Sequence, residues 1–355
     1  MPIQGFTRFR KHQFGRQAAF GTPVAAKRAY PFSGVPDVNL NWTDPDSDVG
    51  SLDLVVPPYR EAGEYSASLT TPVLNYNDLP LLFAGIFGGG ETSTGAGTGK
   101  TWAFVPASLT ADAFDVFTYE FGDDVTTDWF QLADGILTSL TLSGPETMGP
   151  LTASQTWRFG SAASTGSTDS PVTGTVPTPS LVPDAQAIPV YMKDLSLYID
   201  STAAGIGVTQ ISDALHSFEL TITREIDEKR YANGTQTFDL AGYGAGKRTI
   251  ELSLQFAKTA DTVGTGSEAD AWFSDTAVDR FVRIAAESTA VAETGSPDVP
   301  YSLEIDMPLR YYTRADGEIG GNTTVTLMGR AWYDDATLNQ VFSGTVVNTL
   351  ASASL

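Results

Sequence analysis

The sequence predicts a mainly β protein, built of antiparallel β-sandwich or barrel units that each carry a flanking α-helix and are duplicated within the chain. Three observations predict it. Runs rich in aromatic and β-branched residues recur along the chain, bounded by Gly, Pro, Asn and Asp. Several runs alternate apolar and polar residues with period two, as in Tyr301, Leu303, Ile305, Met307, Leu309 and Tyr311. Helical signatures are confined to one short stretch in each half, at 79–87 and 271–287.

Taken in order, residues 1–36 mix basic, aromatic and Gly/Pro positions without a period, which reads as an extended N-terminal arm and not as a packed element. A first β unit spans 37–160, opening with runs at 51–56 and 64–71. Asn77-Asp78 then caps a short apolar helix, Leu79 to Phe87, closed by Gly88-Gly89-Gly90. Beyond a Gly/Thr loop, strands are expected at 101–107, 114–121, 128–143 and 151–159. Residues 161–187 hold no aromatic residue, no Lys and no Arg, but four prolines, which predicts a linker or loop. A second unit, 188–355, has strands near 191–200, 211–226, 247–257, 300–312 and 323–334. Its helix, 271–287, would place Phe273, Ala277, Val278, Phe281, Val282 and Ala285 on one apolar face. DGILTSLTLS at 134–143 and DALHSFELTI at 213–222 share a pattern, which points to a degenerate internal duplication.

Composition narrows the chemistry. The 355 residues include no cysteine, which excludes disulfides, thiolate nucleophiles and Cys-ligated metals. The only histidines, His12 and His216, exclude a His-rich metal site and leave a Ser-His-Asp triad two candidates. The formal charge is −21 and the pI near 4.3, which argues against ordinary nucleic-acid binding because phosphate contacts need Lys and Arg. That charge is uneven: residues 1–30 hold six cations and no acid, a +6 arm on a −27 body. With no signal-like apolar segment at the N-terminus and no run near the ~20 residues of a membrane span, the expectation is a soluble protein made in a cytoplasm.

The chemical motifs are incomplete. GAGTGKT at 95–101 has the Gly-Lys-Thr of a phosphate loop but Thr94 where the leading glycine belongs, so a flexible loop is expected. GYGAGK at 242–247 lacks a strand-turn-helix setting and reads as a hairpin connection. Asp44, Asp46 and Asp48 have the spacing of a calcium loop, but Val49 and Val55 stand where glycine and a bidentate Glu belong. His216 sits in an alternating strand and is expected to be a satisfied structural residue. On the second-unit strands the face opposite the apolar one is polar and acid-biased, and either meets bulk solvent or lines an aqueous channel.

FGRQAAFGTPVAA at 14–26, the strand from Gly63 to Pro72 ahead of LPLLFAGIFGGG at 79–90, and DGILTSLTLSG at 134–144 occur in an order and spacing that resemble the major tail tube proteins of long-tailed, siphovirus-like bacteriophages. The resemblance covers most of the first half and, more loosely, the strand pattern of the second. It implies a non-enzymatic structural virion protein without cofactor, made in the bacterial host cytoplasm. Its subunits would form rings with a continuous inner β-barrel, stacked into the conduit for phage DNA during ejection. The implied partners are further copies of the chain, tape measure protein, baseplate or tail-tip and tail terminator proteins, and DNA in transit without specific binding; no membrane is involved. If each half is one tube unit, three chains make a pseudo-sixfold ring; otherwise six chains do. Under this reading Glu219, Glu225, Glu251, Glu304 and Asp306 are candidate lumen-facing acids, because a negative wall lets a polyanion slide. Arg8, Arg10, Lys11 and Arg16 are a candidate inter-ring basic arm, meeting the acidic surface of the next ring. The alternatives are another self-assembling or capsid-decorating β-sandwich, or an acidic polysaccharide hydrolase acting through two carboxylates.

Overall fold

The computed structural model of the chain describes residues 10–44, 57–106, 114–123, 129–164, 187–231, 242–259, 279–295 and 297–355. Arg8, the run at 51–56, Asp46 and Asp48, most of the 161–187 linker and residues 271–278 lie outside the described residues. The strands are β1 (Arg10–Arg16), β2 (Arg28–Tyr30), β3 (Ser33–Asn39), β4 (Trp42–Thr43), β5 (Tyr59–Arg60), β6 (Glu64–Thr71), β7 (Lys100–Phe104), β8 (Phe117–Asp123), β9 (Trp129–Gly144) and β10 (Thr152–Phe159). They continue with β11 (Ser161–Ser164), β12 (Leu195–Asp200), β13 (Gln210–Ile211), β14 (Leu215–Lys229), β15 (Gly242–Ala257), β16 (Asp279–Glu293), β17 (Val299–Ile319), β18 (Asn322–Ala331) and β19 (Ser343–Asn348), and the helix α1 is Leu79–Phe87. All but β4 and β5, which pair with each other, join one large antiparallel sheet. The mainly β expectation therefore holds, and α1 has the bounds the sequence predicts.

Every residue of α1 is buried, as a helix apolar on all sides requires. It packs on β9, β7 and β14. Close approach depends on Gly85, where a Cβ would lie 2.8 Å from the Trp157 ring and 3.1 Å from Leu137 Cβ. Gly88, Gly89 and Gly90 all have positive φ, and the Gly88 amide closes the helix on the Ala84 carbonyl at 2.9 Å. At the other end Asp78 is the N-cap, but its carboxylate makes no cap bond. It accepts instead from Arg28 Nη2 at 3.1 Å and Asn75 Nδ2 at 2.9 Å. Arg224 on β14 is buried and donates to the carbonyls of Ile86 and Phe87 at 3.2 and 3.1 Å, placing a cation at the negative end of the helix.

β9 carries the chain between two groups of partners. Its N-terminal part pairs with β8 and β11, and its C-terminal part with β10 and β14. The change falls at Asp134, which has φ +58, followed by Gly135, where a Cβ would clash with the Phe159 ring. Asp213, at the head of the similar segment 213–222, is also left-handed, at φ +53. The two segments are neighbours in space, since β14 pairs with β9.

Three expectations need correction. Residues 10–36 are not an unpacked arm: β1 pairs with β2 and β8, and Phe14, Tyr30 and Phe32 are buried in the core. Phe14 stacks on Tyr119 at 4.7 Å and touches Trp157 at 5.0 Å, a burial that outweighs the irregular local pattern. Residues between β1 and β2 then cross β8 and β9 as a strap held by side chains: the amides of Gly21, Val24 and Ala26 donate to Asp134, Thr118 and Glu120 at 2.7, 3.0 and 3.2 Å. Burial holds the Asp134 and Glu120 carboxyls above the usual carboxylate range, and these hydrogen bonds oppose the shift. Second, residues 279–287 are not helical. They open β16, between β12 and β17, with Val282, Ile284 and Ala286 inward. Of the expected helix face, among the described residues, only Val282 lies inward with Ile284 and Ala286, while Ala285 falls on the side of Arg283; ladder bonds on both edges decide for the strand. Third, residues 161–164 form β11 and pair with β9, so the start of the expected linker belongs to the fold. Both halves contribute to one continuous hydrophobic cluster, and the β9–β14 and β7–β19 ladders join them.

Replacing Arg224 by Met leaves two buried helix carbonyls without their donor, and we expect a loss of about 3 kcal/mol in urea unfolding. His12 Nδ1 lies 2.8 Å from the Tyr119 hydroxyl, and burial, reinforced by the charge of Arg10, lowers its pKa from 6.5 to about 4. Native His12 is thus neutral where the unfolded chain takes up a proton, and stability present above the unfolded value is lost as pH falls through that window. Chemical denaturation at pH 7 and pH 4 is expected to show His12→Gln gaining on the wild type by about 3 kcal/mol.

Candidate functional site

The five acidic candidates lie on one face of the sheet, because residues directly opposite in a ladder point the same way. One transverse row defines that face: Asp279 on β16 opposes Arg310 on β17, Arg310 opposes Arg330 on β18, and Arg330 opposes Glu251 on β15. The row continues through Thr221 on β14, Thr141 on β9, Ser154 on β10, Thr70 on β6 and Ser33 on β3. Thr141 and Thr221 hydroxyls are hydrogen-bonded at 3.2 Å. Neighbouring rows are also polar, as in Ser253–Glu219–Ser143–Thr152. The face is therefore charged over β14 to β18 and hydroxyl-rich over β9, β10 and β6.

The charges are not the bare acids the sequence suggests. Arg283 on β16 forks onto Asp306, with Nε and Nη2 each 2.7 Å from a carboxylate oxygen, and reaches Glu304 at 3.1 Å. That bonding raises the Arg283 pKa further, while burial, helped by Asp306, holds Glu304 above the usual carboxylate range. Glu251 is paired with Arg330 at 2.6 Å. Glu219 and Glu225 are exposed on β14, with Glu225 at a register shift in its ladder. A cavity of about 370 Å³ opens beside Glu304, lined also by Asp194, Tyr198 and Glu287. The partners Arg283, Arg330 and Asp279 escaped the sequence reading; a period-two reading of 279–287 would have placed Asp279 and Arg283 on this face.

The basic candidates diverge. Arg10 and Lys11 lie on β1, whereas Arg16 is engaged inside the chain, with Nη2 2.7 Å from both Asp115 oxygens and Nη1 2.6 Å from the Glu91 carbonyl. The glycine loop is equally committed: Lys100 Nζ donates to the carbonyls of Gly95 and Gly97 at 2.7 and 2.6 Å, and the Gly99 amide bonds Glu293 at 3.1 Å. Residues 242–247 belong to β15 itself and not to a hairpin connection. His216 is the extra residue of a register shift in β14, and its Nε2 is buried without a hydrogen-bond partner, beside a cavity of about 500 Å³ lined by Met148, Met192, Leu195, Leu197 and Ile211. It is not the satisfied histidine expected. Among the described residues no group of three or more His, Asp or Glu side chains could hold a metal ion, and no helix is long and apolar enough to cross a membrane.

No family model matches the chain, and no curated protein does. Among solved structures, a chain described as "Tail of empty GTA particle computed with helical refinement, C6 symmetry" aligns with 39% of this chain and 92% of its own length, at 16% identity and a TM-score of 0.26.

The half-buried fork on Asp306 and the exposure of Glu219 set a contrast that can be measured. Asp306→Asn is expected to lower stability by about 1 kcal/mol, and Glu219→Gln to stay within about 0.5 kcal/mol of the wild type, in parallel urea titrations.

Proposed function

We propose that the chain is a structural virion protein, the major tail tube subunit of a siphovirus-like phage, which assembles into stacked rings around a conduit for DNA. The observation that carries the proposal is the polar face, in register from β16 to β3 and backed by one hydrophobic core. A broad face of hydroxyls and ion-paired charges, with its arginines matched by acids in the same rows, suits the wall of a channel that passes a polyanion. The resemblance of residues 14–26, 79–90 and 134–144 to tail tube proteins supports the same role. In this reading the polar face lines the lumen, with Glu219 and Glu225 as its unneutralised acids.

Two tandem units, 37–160 and 188–355, would let three chains complete a pseudo-sixfold ring. The left-handed aspartates at the head of two similar segments, Asp134 and Asp213, support the duplication. Arg8, Arg10 and Lys11 would bridge to the acidic surface of the next ring; Arg16, bound to Asp115, would instead fix the base of that segment.

Negative-stain electron microscopy with light-scattering mass on the same sample tests the role. Hollow rings or tubes are expected, with a ring mass three or six times the 37.7 kDa of one chain. Particles that hold the mass of one chain at every concentration and salt would contradict the proposal.

A further inference from the structure

The centre of the polar row is a like-charge pair. Arg310 and Arg330 stand directly opposite each other on β17 and β18, an arrangement that repels unless each cation has its own counter-ion. Each does, on its outer side. Arg310 places Nε and Nη2 at 2.8 and 2.6 Å from Asp279 Oδ1, and Arg330 places Nε and Nη2 at 3.1 and 2.6 Å from Glu251 Oε1. The guanidinium groups also lie over aromatic rings, Arg310 over Trp332 and Arg330 over Tyr312, each 5.7 Å from the centroid. Their side chains remain 51% and 56% exposed, so a ligand in solution can reach them.

Adjacent exposed arginines flanked by aromatic rings are the chemistry that holds a phosphate backbone and its bases. Here the donor edge that would fork onto a phosphate is already used by a carboxylate in the same row. A third arginine of the face is treated alike: Arg283 is held by Asp306 and Glu304. Glu219 sits on the same face between Ser253 and Ser143, and Glu225 is exposed further along β14.

We infer that Asp279 and Glu251 are masks: they occupy the guanidinium edges of Arg310 and Arg330, so that a polyphosphate chain crossing this row finds the donor edges of the arginine pair already taken. The acids of the face thus divide by task. Glu251, Asp279, Glu304 and Asp306 cover arginines, and Glu219 and Glu225 supply repulsion. The biological sense of the inference rests on the proposed conduit, but the masking is a property of the single chain and is measured without rings.

The test is fluorescence anisotropy of a labelled DNA duplex of about 20 base pairs, at about 50 and 200 mM NaCl. Asp279→Asn combined with Glu251→Gln is compared with Glu219→Gln combined with Glu225→Gln, which changes the net charge equally. The first variant is expected to bind the duplex at least about tenfold tighter than wild type at the lower salt, with a steeper salt dependence, and the second to stay within about twofold. Adding Arg310→Gln and Arg330→Gln to the first variant is expected to abolish the gain. Wild-type binding as tight as that of the first variant, or an equal gain in the second, would overturn the inference. If circular dichroism shows the double variant unfolded, Glu251→Gln alone must give a smaller gain that Arg330→Gln removes; no gain overturns the inference. Failure of the conduit reading would show separately, as wild-type protein without rings, and would leave the DNA result standing.

Discussion

A helix of nine residues with no polar side chain can persist in water only if every side and both ends are covered. The rest of this structure follows from how α1 is covered. Strands from both halves of the chain supply its walls, with Trp157 and Leu137 against Gly85 and the Phe342 ring 4.5 Å from Phe87. Its ends are closed by arginines from distant segments, Arg28 through Asp78 and Arg224 through the last carbonyls. Because β7, β9 and β14 all pack on one helix and Arg28 of β2 reaches its N-cap, strands of both halves share its surroundings, and a single hydrophobic cluster results.

That single core frees the opposite side of the sheet from any packing duty. With most of its apolar residues committed inward, the sheet can present a row of polar residues across successive strands. Its charges settle into cross-strand pairs because register brings Asp279, Arg310, Arg330 and Glu251 side by side, where opposite charges attract and like ones need flanking acids. The net charge of −21 therefore does not describe this face well. Its acidity is partly cancelled where arginines stand, and Glu219 and Glu225 on β14 make no ion pair among the described residues.

The sequence by itself determined the elements whose signals are local. Strand-like composition and alternation located β6, β10, β14 and β18 to within a few residues and the middle of β15 and β17, whose ends run on to 242 and 319, and Asn77-Asp78 with the triple glycine delimited α1. It also placed Glu219, Glu251, Glu304 and Asp306 on one polar face, since side-chain direction in a strand is set by parity alone. Tertiary structure decided whatever depended on partners far along the chain. Val282 and Ala285, three apart, fit one helix face until β12 and β17 bonded both edges of β16 and set them on opposite sides of a strand. Phe14 and Tyr30 looked like parts of an arm until β8 gave them a core. Whether an acid stands bare or covers an arginine was likewise settled only by register, because Arg330 and Glu251 are far apart in sequence and become neighbours through a ladder that no local pattern encodes.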